Sequence, residues 1–170
     1  MSGNETTVVT SGPLQPAEPT PGGLPLSAIQ AALRAEGLDG WLLYDFRGLN
    51  PIAADVTRVA HQGGHLATRR WYYLIPAHGA PRGLVHKIES GTLSHLPGST
   101  ARYAGRLQLE AELARLLVGQ RRTAMEYSPN CAIPYIARVD AGTVERIRQL
   151  GVEVVSSGDL VQRFSAVWNE

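Results

Sequence analysis

Cysteine occurs once in this chain of 170 residues, at Cys131, so no disulfide can form within it. Flanked by Ala132 and Ile133, that thiol reads as a small buried side chain rather than a nucleophile. No apolar run approaches the ~20 residues needed to cross a bilayer. The first residues are polar, with no basic start leading into an apolar stretch, so no secretion signal is visible. These absences make the cytoplasm the expected setting, in which the Asn4-Glu5-Thr6 glycosylation acceptor has no meaning. Excess charge is missing as well: 16 basic against 15 acidic side chains leave a net +1, too weak a field to gather nucleic acid or anionic lipid. Lys87 is the single lysine, and arginine supplies the rest of the positive charge. Phosphate-cradling loops are absent too. Gly63-Gly64 follows no strand-to-helix pattern, and there is neither a Walker lysine nor a Gly-x-Ser-x-Gly elbow.

Residues 1–23 hold Pro13, Pro16, Pro19 and Pro21, paired glycines and hardly any large apolar side chains. Such a stretch buries too little surface to offset its ordering entropy, and it reads as a disordered leader. From Leu24 to Trp168 the pattern is that of one folded domain. An apolar content of 44% is ordinary for a globular chain, and the length allows a core that needs neither disulfide nor metal.

Within that domain, Ser27 and Gln30 have capping-box spacing, with Leu26, Ile29 and Leu33 on one helical face and Gly37 as the stop. Trp41 to Tyr44 is a short apolar strand. Asp45 to Thr68 is irregular, with a short helix expected near Ile52 to Val59. Trp71 to Ile75 is the strongest strand and pairs as a hairpin with Gly83 to Ile88 across Ala77-His-Gly-Ala-Pro81. A brief helix is expected over Ser90 to His95 and an edge strand over Thr100 to Tyr103. Leu107 to Val118 is the clearest helix, with Leu109, Leu113, Leu116 and Leu117 on one side. Strand Thr123 to Tyr127 leads to a helix capped by Asp140, with Val144, Ile147 and Leu150 inward. Strand Val152 to Val155 and a last helix through Phe164 follow. This order argues for one mixed sheet with helices packed against it, an α/β fold.

The irregular stretch holds most of the candidate chemistry, because long loops in compact domains are often functional. His61 and His65 are four apart, a spacing that holds zinc on a helix, but Gln62-Gly63-Gly64 disfavours a helix and supplies no glutamate base. They read as loop histidines, with His65 a candidate for lining a substrate cleft. His78, His86 and His95 are isolated and read as structural. Arg69 and Arg70 precede the aromatic strand, where an arginine is placed either for a surface salt bridge or for a forked contact to a peptide carboxylate. Arg47, beside Asp45, poses the same choice. Trp71, Tyr72 and Tyr73 can stack on a ring, although alternate residues of a strand are usually core. Asp45, Asp55 and Glu126 are too scattered to make a carboxylate cluster for nuclease chemistry, and no basic face supports nucleic-acid binding.

Four phrases, taken in order, resemble the amino-terminal domain of Xaa-Pro peptidases, the creatinase/prolidase/aminopeptidase P group. They are Asp39-Gly-Trp-Leu-Leu-Tyr-Asp45, Thr68-Arg-Arg-Trp71, Met125-Glu-Tyr-Ser-Pro129 and Gly151-Val-Glu-Val-Val-Ser-Ser-Gly-Asp-Leu160. The resemblance implies a mixed six-stranded sheet flanked by helices, similar in outline to ribonuclease H. It implies a non-catalytic domain that shapes the substrate cleft and supports a homo-oligomer, beside a catalytic domain that this chain does not contain. Two divalent ions (Mn, Co or Zn) and the cleavage of proline-containing peptides would belong to that other domain, and this chain by itself would be inactive. The cleft-facing candidates are then Asp45, Arg47, Asn50, His65 and Arg70. Two departures stand out. Phe46-Arg-Gly-Leu-Asn-Pro51 replaces the group's Asn-x-x-Tyr-Leu-Thr-Gly-like phrase, and the group's metal ligands (two aspartates, a histidine and two glutamates) have no counterpart. The other reading is a stand-alone module that binds a protein or small ligand through Asp45 to Thr68.

Overall fold

A computed structural model describes residues 23–59 and 67–165. The expected leader, apart from Gly23, and both His61 and His65 lie outside the described residues.

Among the described residues, thirteen segments follow in an order expected of an α/β chain. Helix α1 (Leu26–Ala35) precedes β1 (Gly40–Asp45), and α2 (Pro51–Thr57) separates β1 from β2 (Trp71–Pro76). Strands β3 (Arg82–His86) and β4 (Ser99–Tyr103) follow, with a 3-10 turn at Lys87–Glu89. Then come α3 (Arg106–Leu116), β5 (Arg122–Met125), a 3-10 turn at Pro129–Cys131, α4 (Ala141–Gln149), β6 (Glu153–Ser156) and α5 (Gly158–Phe164). The six strands form one mixed sheet in the order β4-β3-β2-β1-β5-β6. Strand β2 is antiparallel to both β1 and β3, while β1–β5, β5–β6 and β3–β4 are parallel pairs. Five strands therefore end at one edge of the sheet, the carboxyl edge, where β2 begins. The register sets Asp45 opposite Trp71 at that edge and Gly40 opposite Pro76 at the other, the amino edge.

Strands β1 and β2 are buried along their whole length, which is why both read as continuous apolar runs without a polar alternate. Period-2 geometry still sorts their side chains. Trp41, Leu43, Trp71, Tyr73 and Ile75 enter one core with Ile29, Leu33, Ile52 and Leu160, from α1, α2 and α5. Leu42, Tyr44, Tyr72 and Leu74 enter the other with Leu109 and Leu113 of α3 and Val144 and Ile147 of α4. Edge strand β4 is exposed except at Tyr103.

Four local expectations change. Helix α1 starts one residue before Ser27, so Ser27 cannot cap it; Pro25 precedes it with no side-chain cap. Gln30 instead donates to the carbonyls of Pro76 and Gly79, at 3.0 and 2.8 Å. The expected helix at Ser90–His95 is a string of turns, because Thr92 Oγ1 and Ser94 Oγ bond back to the carbonyls of Glu89 and Gly91 and compete with helical bonding. Leu150 is the C-cap of α4 and 38% exposed rather than inward. Cys131 is exposed rather than buried: Asn130 and Cys131 both take left-handed backbone angles, φ 53° and 51°, in a turn that runs over the surface.

Candidate functional site at the carboxyl edge

The loop from β1 to α2 is organised by two buried side chains. Asp45 accepts from the backbone N–H of Gly48 at 2.9 Å and of Asn50 at 2.8 Å, an Asx-type brace. Arg47 and Gly48 take left-handed angles (φ 58° and 75°) to make the turn. Asn50 caps α2, its Oδ1 accepting from the Ala53 N–H at 3.1 Å, and Pro51 sits at the first helical position, where no N–H is missed. The Asn50 amide nitrogen donates to the Tyr44 carbonyl at 2.8 Å and to Glu126 Oε1 at 3.0 Å. Trp41 donates its indole N–H to Glu126 Oε2 at 3.2 Å. Asp45 and Glu126, 81 positions apart in sequence, are thus joined through Asn50, while Asp55 stands elsewhere, bonded to Arg58 and Ser165.

Glu126 is fully buried. Loss of solvent raises its pKa to about 7, although Asn50 and Trp41 both favour the ionised form. Both of those partners are donors, so this carboxylate is a structural acceptor tying β5 to β1 and to the α2 cap.

In front of this brace the carboxyl edge opens into three adjoining hollows, all lined by Arg70. The largest, about 380 Å³, lies between the N-terminal ends of α3 and α4 over the side chain of Tyr72. Arg70 is exposed, with its guanidinium 5.8 Å from the centre of the Phe46 ring, and it has no carboxylate partner among the described residues. Its neighbour Arg69 differs: Glu89 accepts from the Thr68 and Arg69 N–H groups at 2.9 and 3.0 Å, and its carboxylate is 3.9 Å from the Arg69 guanidinium. Desolvation works to raise the Glu89 pKa, but those bonds outweigh it and hold the group below its usual range.

Across the hollow, Glu110 pairs with Arg106 at 3.1 Å and Arg146 at 3.0 Å. Asp140 caps α4 by accepting from Thr143 N–H at 2.8 Å and also receives the Tyr44 hydroxyl at 3.3 Å. Partial burial works to raise Asp140, but the Thr143 and Tyr44 bonds prevail and keep it ionised below the usual carboxylate range.

The sequence candidates are therefore distributed as follows. Arg70 stands at the centre of the hollows, Asn50 lines one of them, and Arg47 is exposed on the adjacent turn. Asp45 is buried, with both oxygens bonded to the loop backbone. Of the histidines, His86 Nε2 lies 3.0 Å from the Ala104 carbonyl and His95 Nε2 lies 2.7 Å from the Thr57 carbonyl, as structural roles require. Glu126, Arg106, Arg146 and Asp140 were not legible as site residues, and Tyr72 only as one of three aromatics able to stack, because they come together through strand order. Among the described residues no three His, Cys, Asp or Glu side chains converge to hold a metal ion.

No family model matches the sequence, and none of the curated proteins does. Solved structures do. A proline dipeptidase from Streptococcus pneumoniae aligns with a TM-score of 0.61 at 15% identity, over 84% of this chain and 98% of that one. The creatinase/prolidase N-terminal domain of an X-Pro dipeptidase from Streptococcus pyogenes aligns with a TM-score of 0.59 at 12% identity, over 81% and 96%. A prolidase from Pyrococcus horikoshii aligns with a TM-score of 0.58 at 15% identity, covering 85% of this chain but 35% of that one. This chain thus spans about a third of that prolidase and nearly all of the shorter structures. The fold is that of the creatinase/prolidase N-terminal domain, as the four sequence phrases implied.

Proposed function

We propose that this chain serves as the non-catalytic amino-terminal domain of an Xaa-Pro peptidase, with its carboxyl edge turned toward the substrate cleft of a catalytic domain. The observation that carries this reading is the match over 96% of a structure that is itself such a domain. The chemistry of the edge is in keeping with it. Leu49, Ile88, Leu107, Ile133 and Tyr135 are large apolar side chains left exposed, and each follows the end of a parallel strand. Arginines lie among them. An apolar surface studded with cations suits a partner whose facing surface is acidic, as the rim of a metal-binding centre is. In this reading two divalent ions (manganese, cobalt or zinc) and the water-activating carboxylates belong to the partner domain. The domain limits the length of peptide that enters, supports a homo-oligomer and works in the cytoplasm.

The test is enzymatic and genetic. The purified chain with Mn²⁺ and an Xaa-Pro dipeptide is expected to show no turnover, and metal-dependent hydrolysis by it would overturn the assignment. Coding sequence continuing past Glu170 into a frame with two aspartates, a histidine and two glutamates at ligand spacing would support it. A stop codon there would favour the second reading, a stand-alone ligand-binding module. What speaks for that reading is the hollow around Arg70, which gathers charged and apolar groups at the carboxyl edge.

A further inference from the structure

We infer that the hollow between α3 and α4 is a binding site for a small organic monoanion, its charged end held by Arg70 and its apolar body laid over Tyr72, Leu109 and Leu113. The inference concerns this domain's own residues and holds whether or not a peptidase domain is attached.

Three observations converge on it. The first is an unanswered donor. Tyr72 is 3% exposed, yet it lines the hollow, and its hydroxyl has no hydrogen-bond partner among the described residues. The neighbouring phenols are all engaged: Tyr44 donates to Asp140, Tyr73 to the Pro97 carbonyl and Tyr103 to the Arg70 carbonyl. The Tyr72 hydroxyl is not one of the side-chain atoms sealed from solvent without a partner, so it reaches the hollow, where a ligand oxygen can accept from it in place of water.

The second is the charge balance. Arg70, Arg106 and Arg146 line the hollow together with Glu110 and Asp140. Glu110 is taken by Arg106 and Arg146, and Asp140 by the α4 cap. Arg70 is the guanidinium left without a carboxylate among the described residues, and three cations against two anions leave one positive charge. That residue of charge matches a carboxylate. A phosphate dianion would leave the hollow with a net negative charge.

The third is placement. Helices α3 and α4 both direct their N-terminal ends at this hollow; that of α4 is capped by Asp140, whereas α3 follows the N-cap Gly105 with no side-chain cap and no acidic residue in its first turn. Its first amides are therefore open to an anion. A crevice outside the carboxyl ends of parallel strands is where α/β sheets present ligands.

The site is tested on the full 170-residue chain by following backbone amide signals in solution NMR. Benzoate is the probe, benzamide its neutral counterpart and inorganic phosphate the dianion. Benzoate is expected to shift the amides of Leu107, Gly142 and Thr143 saturably, and benzamide and phosphate to bind at least tenfold more weakly. Arg70→Gln should weaken benzoate by about tenfold or more, and Tyr72→Phe by about threefold to tenfold. Arg121→Gln, at the opposite edge of the sheet, should change nothing. Both Arg70→Gln and Tyr72→Phe keep the ring or stem that packs, so folding is retained and can be verified in the same spectra. Absence of saturable shifts, indifference to Arg70→Gln, unchanged binding by Tyr72→Phe, or phosphate binding more tightly than benzoate would each overturn the assignment.

Discussion

Where β1 and β5 begin, polar side chains close on backbone groups; where they end, polar side chains face an open hollow. At the amino edge Asp39 accepts from the N–H groups of Arg121 and Arg122 at 2.9 and 2.8 Å. These bonds, the Arg122 one above all, lower its pKa. Gln30 and Arg34 of α1 donate to the carbonyls of Pro76, Ala77 and Gly79, and Arg82 donates to Val118. At the carboxyl edge Arg70 and the Tyr72 hydroxyl have no such partners among the described residues, and five large apolar side chains stand exposed, against Val118 and Leu150 at the amino edge. The same sheet therefore has one edge built for stability and one left available for binding, as open α/β folds commonly divide them. The exception is the buried Asp45–Asn50–Glu126 brace, which is structural yet lies behind the open edge.

That exception gives the largest expected effect. Asn50→Ala removes the bridge between Glu126 and the Tyr44 carbonyl together with the α2 cap. Unpaired buried acceptors and a lost cap combine to about 3 kcal/mol of destabilisation, read by urea unfolding. A loss below about 1 kcal/mol would mean that the brace is incidental and that the carboxyl edge carries no structural load.

Glu126 sharpens the same point through pH. Its folded pKa of about 7 lies above the model-peptide value of 4.5, so between these values the native state holds a proton that the unfolded chain has released. The stability associated with this proton is fully present below about pH 4.5, falls as pH rises, and is gone above about pH 7. The slope is about 1.4 kcal/mol per pH unit at its steepest. Glu126→Gln should flatten the curve between pH 5 and 7 relative to the wild type. Parallel curves for the two proteins would show that Glu126 does not titrate in that range. Asp39, Glu89 and Asp140, whose pKa values are lowered, act in the opposite sense: their contributions vanish as pH falls below the ordinary carboxylate range, outside this window.

Much of the closed edge and the core was visible in the sequence. Trp71-Tyr-Tyr-Leu-Ile75 reads as the strongest strand, the leucines of α3 share a side, and Asp140 sits where a cap is needed. Each of these is a local pattern, set by a repeat of two or of three to four residues. The misreadings were local too, where short-range signals compete: Ser27 matches a capping box but falls inside the helix, and Thr92 and Ser94 bond back to their own turns. Cys131 has apolar neighbours in sequence but lies in a surface turn. The candidate site was legible only in part. Arg70 and Asn50 were singled out by their loop positions. Tyr72 read as a strand residue, either core or stacking, and Glu126, 76 residues from Asn50, was weighed only as one of three scattered carboxylates, because strand order alone brings β5 beside β1.

At the amino edge, Gly40→Ala tests how closed that edge is. A Cβ there would lie 2.9 Å from Leu74 Cδ1 and 3.1 Å from the Ile75 carbonyl oxygen, and it would also strike Gln120 Oε1. Gln120 can move, but the strand backbone cannot, so overpacking should cost about 2 kcal/mol, read as a lower unfolding midpoint. Benzoate binding at the other edge should be unaffected, since Gly40 and the hollow share no residue. A variant that lost binding along with stability would show that the two edges are coupled through β1.

The smallest effect separates an available surface from one that merely happens to be apolar. Leu107 is 82% exposed and Ile133 is 54% exposed, so replacing both by serine removes little buried area. The unfolding free energy should stay within about 0.5 kcal/mol of the wild type, whereas comparable changes at Leu109 or Leu113, on the buried side of α3, should cost several times more. Isolated exposed apolar residues are common on soluble proteins and mean nothing singly. Here five of them follow the ends of parallel strands on the edge that also carries Arg70. If the double serine variant proves markedly less stable, these side chains serve the core and the contrast between the edges fails at its apolar half. If it is as stable as the wild type and less prone to self-associate on concentration, the same residues are a surface held ready for another molecule, and the contrast stands on packing as well as on charge.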